Sequence, residues 1–86
     1  MTEKEIQLLG FQQEYVGEYE GDDDYYYALD IVDGLTFITP CTSEVKDEEW
    51  YAEVFNTSPY IRFYEFGETQ ALLNTLTNAI VKESKK

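Results

Sequence analysis

The chain has 86 residues and a mass of 10.1 kDa, which is enough for one domain and too little for two separate cores. Hydrophobic residues make up 43% and charged residues 28%, a balance that suits a soluble globular fold and excludes a collagen, a low-complexity chain or a membrane-spanning helix. Six Lys and Arg against 18 Asp and Glu give a formal net charge of −12, with no histidine; this charge repels phosphate, so it disfavours direct binding to nucleic acid or to an anionic membrane, and a basic protein surface is its electrostatic complement.

The charge is unevenly placed. Residues 14–53 hold an acidic excess equal to the whole −12, with Lys46 as their one base, while the remainder of the chain is neutral. The one cysteine, Cys41, has no partner for an internal disulfide. Met1 to Glu5 lacks the basic opening of a signal peptide. A reducing, cytoplasmic setting is the resulting expectation.

In chain order, Thr2-Glu3-Lys4-Glu5 is a capping box and predicts a helix from about residue 3 to 9, stopped by Gly10. Phe11 to Tyr19 predicts a weaker strand. Tyr25 to Val32 alternates in a period of two and predicts a second strand, turned by Asp33-Gly34 into Leu35 to Thr39, which ends at Pro40. A two-residue loop here scatters the apolar residues. A three-residue loop with Gly34 left-handed aligns Tyr27, Leu29 and Ile31 with Leu35 and Phe37, and is the expected connection.

A polar loop from Cys41 to Glu49 precedes a strand from Trp50 to Phe55, and Asn56-Thr57-Ser58-Pro59 turns it into Tyr60 to Tyr64. Leu72, Leu73, Leu76, Ala79 and Ile80 recur at helical spacing and predict an amphipathic helix over about residues 68–82, with Lys82, Lys85 and Lys86 at its negative dipole end. The expected fold is a single α+β domain over residues 1–86. It is a four- to five-stranded antiparallel meander with a short N-terminal helix and a C-terminal amphipathic helix packed on the sheet.

Catalysis by a Ser–His or Cys–His pair needs an imidazole, which this chain lacks. Cys41 follows Pro40 in an acidic neighbourhood that suppresses the thiolate. Zinc finds no ligand set in one cysteine and no histidine. The EF-hand template laid from Asp22 puts Tyr27 where the loop needs Gly and Asp33 where it needs Glu, so it fails; a loose surface calcium site at Asp22 to Asp24 is left as a lesser alternative. The expectation is no enzyme, no cofactor and no bound metal.

The stretch from Glu14 to Tyr27 is the most distinctive. Run as a strand, it puts the carboxylates Glu14, Glu18, Glu20, Asp22 and Asp24 on one side and the tyrosines Tyr15, Tyr19, Tyr25 and Tyr27 on the other. One reading is a solvated face that keeps a small domain soluble. The other is a docking surface: carboxylates about 6.6 Å apart along a strand offer an anionic line to a groove built for phosphates spaced about 1.7 Å along a duplex axis. Glu14, Glu18, Glu20, Asp22, Asp23 and Asp24 are then the charged contacts, with Tyr19, Tyr25 and Tyr26 as anchors.

A second candidate lies in the last two strands. With Trp50, Ala52, Val54, Ile61 and Phe63 turned to the core, Tyr51, Phe55, Tyr60 and Tyr64 share the opposite face with Glu53 and Arg62. That composition suits a protein interface, a homodimer contact or a surface covered by the N-terminal helix.

The strings Leu9-Gly10-Phe11, Tyr25-Tyr26-Tyr27-Ala28-Leu29-Asp30-Ile31, Trp50-Tyr51 with Glu53, and Ile61-Arg62-Phe63 before the leucine helix resemble a group of short acidic α+β proteins of bacterial viruses and mobile elements. No activity is assigned to that group, so no functional residue carries over. The resemblance implies an accessory protein of phage type, among which small inhibitors of host defence nucleases and mimics of DNA charge are frequent. The leading functional expectation is therefore a non-enzymatic acidic binding module that blocks a basic groove of a nucleic-acid-binding protein. The alternative is an adaptor that homodimerises or docks through the aromatic sheet face.

Overall fold

Thr2 caps the first helix as its sequence requires. Its hydroxyl accepts from the Glu5 amide at 3.2 Å, the Glu5 carboxylate accepts from the Thr2 amide at 2.9 Å, and α1 runs over Glu3–Leu8. The helix ends into Gly10, whose φ of 99° suits glycine and no other residue equally well. In the computed structural model, which describes residues 1–16 and 24–81, five strands follow in a single antiparallel sheet. They are β1 (Gln12–Tyr15), β2 (Tyr25–Val32), β3 (Leu35–Ile38), β4 (Ala52–Val54) and β5 (Arg62–Phe63), and they lie in sequence order. A one-turn 3-10 helix, Thr42–Glu44, sits in the β3–β4 connection, and α2 (Phe66–Ala79) is the last element among the described residues.

The fold is thus the expected α+β meander with a helix at each end. Within β2 and β3, Leu29 faces Phe37 and Ala28 faces Ile38, the register that a three-residue connection produces, and Gly34 is left-handed at φ 91°. Only at the tip does the ladder slip, where Val32 comes opposite Leu35 and Ile31 bulges. Strand ends are shorter than the sequence pattern implies. Among the described residues β1 stops at Tyr15, and β4 and β5 keep three and two paired residues.

Helix α2 begins at Phe66, two residues before its predicted start. Thr69, fully buried, donates its hydroxyl to the Glu65 carbonyl at 2.7 Å, and its amide donates to the same carbonyl at 3.0 Å, which closes the first turn without a side-chain cap. The helix stops at Ala79 because Ile80 turns extended. The expected lysine cluster at Lys82, Lys85 and Lys86 lies outside the described residues.

Both helices lie on one face of the sheet. Ile6 of α1 and Leu73 of α2 join Met1, Phe11, Tyr27, Phe37, Trp50 and Ala52 in the core, with Leu29, Ile31, Leu35, Val54, Phe63, Phe66 and Leu76 around them. Side chains alternate across a strand, so the residues between these point to the other side of the sheet, where neither α1 nor α2 lies. Ile61 differs from expectation: it pairs through its carbonyl with the Val54 amide at 2.9 Å but stays 46% exposed, because the sheet's last edge runs past the end of the core. The α-amino group of Met1 donates to the carbonyls of Trp50 and Tyr64 at 3.0 Å each, fastening the start of α1 to the β4–β5 end. No helix among the described residues is long and apolar enough to cross a membrane.

Candidate functional site

The register across the sheet brings together two groups that sequence reasoning treated separately. Glu14 pairs with Tyr26 across β1 and β2, Ala28 with Ile38 across β2 and β3, Ile38 with Glu53 across β3 and β4, and Glu53 with Arg62 across β4 and β5. Paired residues share a face. Glu14 and Tyr26, drawn from the acidic stretch, therefore lie on one continuous surface with Tyr51, Phe55, Tyr60, Arg62 and Tyr64, and this is the face that the helices leave uncovered.

Two clefts mark that surface. The first, of about 350 Å3, lies between Pro40, Glu44, Tyr51, Tyr60 and Arg62. The Arg62 guanidinium stands 4.7 Å from the Tyr51 ring centre and 5.0 Å from that of Tyr60, and its Nε donates to Glu53 at 2.8 Å. Tyr64 completes the group, its ring centre 5.2 Å from that of Tyr51. The Glu53 bond, then Tyr64, raise the already high pKa of Arg62, so the side chain is a permanent cation neutralised in place. The second cleft, of about 320 Å3, is lined by Glu14, Tyr26, Ala28, Asp30, Ile38 and Phe55. Ile38 belongs to both clefts.

Tyr25 and Asp24 have different duties. Tyr25 turns to the helix side, where an edge-to-face series runs Tyr15, Tyr25, Tyr27, Trp50 with ring centres 6.1, 5.8 and 5.6 Å apart. The Glu3 carboxylate accepts from the hydroxyls of both Tyr25 and Tyr27, at 2.5 and 2.8 Å. Bonding to Glu3 first, then burial, pushes the Tyr25 phenol up to about 12. Asp24 accepts from the Thr42 hydroxyl at 2.5 Å and from the Ser43 amide and hydroxyl at 3.0 and 2.9 Å. These bonds, Thr42 first, lower its pKa and tie the start of β2 to the 3-10 helix. Glu18, Tyr19, Glu20, Asp22 and Asp23 lie outside the described residues, as does most of the loose calcium site considered from sequence.

At Cys41, Tyr27 and Tyr51 the pKa shifts favour the protonated side chain. Burial, then the carboxylates of Asp24 and Glu44, raise the Cys41 thiol; burial raises the Tyr27 and Tyr51 phenols. Among the described residues no group of three or more Cys, Asp or Glu is placed to hold a metal ion.

Sequence reasoning passed over Asp30, Ile38 and Glu44, which line the clefts. Asp30 and Ile38 were readable in principle, because each occupies the non-core parity of a strand whose register the Asp33-Gly34 turn sets. Glu44 was not, since it reaches the surface from the β3–β4 connection. No family model matches the chain, and neither the curated proteins nor the solved structures contain a significant match.

Proposed function

We propose that this protein is a non-enzymatic binding module that takes a basic protein partner on the uncovered face of its sheet. The observation that carries the reading is the joining of Tyr26, Phe55, Tyr51, Tyr60 and Tyr64 with Glu14, Asp30, Glu44 and Glu53 on a single surface. Tyrosine-rich, arginine-stacked surfaces are what protein interfaces favour. Its charges are acidic apart from Arg62, and Arg62 is already paired with Glu53.

The same charge argues against a second copy as the occupant. Face-to-face association would bring together two surfaces that each carry Glu14, Asp30 and Glu44, on chains of net charge −12, and like charges across an interface are costly. A basic surface of the kind that contacts nucleic acid is the partner class that this charge complements, which is the mimic reading in its structural form. The raised Cys41 thiol carries less thiolate, which disfavours nucleophilic chemistry at that residue.

The test is capture from a bacterial lysate with the wild-type chain, an open-face variant (Tyr60→Ala with Ile38→Arg) and a helix-face control (Leu8→Arg), followed by titration of the purified partner. The expected result is a basic protein bound by wild type and control, released by salt, and lost from the open-face variant. Equal affinity of the purified partner for all three overturns the reading.

A further inference from the structure

We infer that the cleft over β1, β2 and β3 receives a basic amphipathic α-helix of the partner, an inference that rests on the binding-module reading above. Glu14 and Asp30 are the charged residues of this cleft. Neither has a cation beside it among the described residues, where the ion pairs join Arg62 to Glu53 and the α-amino group to Glu49. Asp30 accepts one hydrogen bond, from the Thr36 hydroxyl at 2.6 Å. Between the two carboxylates the floor is apolar, Ala28 beside Ile38, with the Tyr26 and Phe55 rings rising next to it.

Three arguments select a helix. The backbone groups of β2 and β3 are engaged in the ladder, so a sheet face offers no hydrogen bonds to a visiting backbone; an occupant must satisfy its own, as a helix does. Strands lie about 4.8 Å apart, so a helix about 10 Å across covers the three strands that line the cleft. Finally, Glu14 pairs with Tyr26, four residues from Asp30 along β2, which sets the carboxylates about 13 Å apart along the strand direction. Helical residues seven or eight apart are separated by about 10–12 Å, and long basic side chains reach the rest. The partner helix thus carries two arginines at i and i+7, with apolar residues at i+3 and i+4 seated on Ala28 and Ile38. Arginine suits the site better than lysine because it stacks on Tyr26 and Phe55 while it meets a carboxylate.

The experiment titrates isotope-labelled protein with a capped alanine-based peptide bearing Arg at i and i+7 and Leu at i+3 and i+4, read by amide NMR shifts. Control peptides carry Glu in place of Arg, or the second Arg at i+5 on another side of the helix. The expected result is saturable binding of the first peptide with shifts at Glu14, Tyr26, Ala28, Asp30, Ile38 and Phe55, weakened by added salt. Glu14→Gln and Asp30→Asn each weaken it about two- to five-fold, with amide dispersion showing that both variants remain folded. No binding, equal binding of the controls, or shifts unaffected by both variants overturns the inference. Binding that instead maps to Tyr51 and Tyr60 overturns this cleft but leaves the open-face reading standing. That reading falls only if the purified partner ignores the open-face variant.

Discussion

The Glu3 carboxylate accepts a hydrogen bond from the Tyr25 hydroxyl at 2.5 Å, across 22 residues of sequence. With Tyr27 bonded to the same oxygen, this ties the first turn of α1 to the helix side of β2. The Tyr25 phenol is pushed up to about 12 from an ordinary 10.0, with the Glu3 bond as the largest cause. A raised folded-state value contributes stability that is complete below the unfolded value and is lost as pH rises through the folded one. Tyrosinate absorbance of the folded protein is therefore expected to show Tyr25 ionising late, and Glu3→Gln to bring it back toward 10.0. Superimposable titrations of the two proteins would refute the assignment.

Asp24 gives the opposite dependence. Its pKa is lowered by Thr42 and Ser43, so its contribution is present above the ordinary aspartate value and fades as pH falls through the lower, folded one. Asp24→Asn should melt below wild type at neutral pH, with the gap closing in acid. A gap that stays constant with pH would show that geometry matters there and charge does not.

Tyr27 is 2% exposed, and its hydroxyl meets both Gln7, at 2.8 Å, and Glu3. Removing the hydroxyl in Tyr27→Phe takes a partner from Gln7 and one of two donors from Glu3, which keeps the Tyr25 bond, and is expected to cost about 0.5–1.5 kcal/mol in denaturant unfolding. Tyr25→Phe, at a less buried ring, should cost less.

Gly34 has φ 91° and open space where a Cβ would stand. Gly34→Ala should therefore destabilise through the backbone alone, by about 1–2 kcal/mol. Gly34→Asn should recover part of that, since asparagine tolerates the left-handed region. If alanine proves neutral, the turn has an alternative geometry.

These features differ in how far the sequence disclosed them. The capping box at Thr2 to Glu5 and the register set by Asp33-Gly34 are local: a few neighbouring residues determine the backbone, and the pattern is visible without the fold. The helix faces and the strand alternation follow from periodicity in the same way. Which side of the sheet the helices cover is not local, and that choice decides that the face shared by Glu14, Tyr26, Tyr51, Tyr60 and Arg62 is the open one. The Glu3 bond to Tyr25 and the Asp24 bonds to Ser43 are likewise products of tertiary approach. The early start of α2 was hidden because Gly67 reads as a helix breaker, whereas the buried Thr69 hydroxyl and its bond to the Glu65 carbonyl hold the first turn. The candidate surface was legible as residue types and illegible as a place.

The Val16 amide donates to the Asp24 carbonyl at 3.0 Å, and Asp24 is itself anchored to Thr42 and Ser43. Residues 17–23, which hold several of the chain's acids, are thus bracketed by a clasp between Val16, Asp24, Thr42 and Ser43. One clasp therefore couples the end of β1, the start of β2 and the β3–β4 connection, so a break at Thr42 reaches all three.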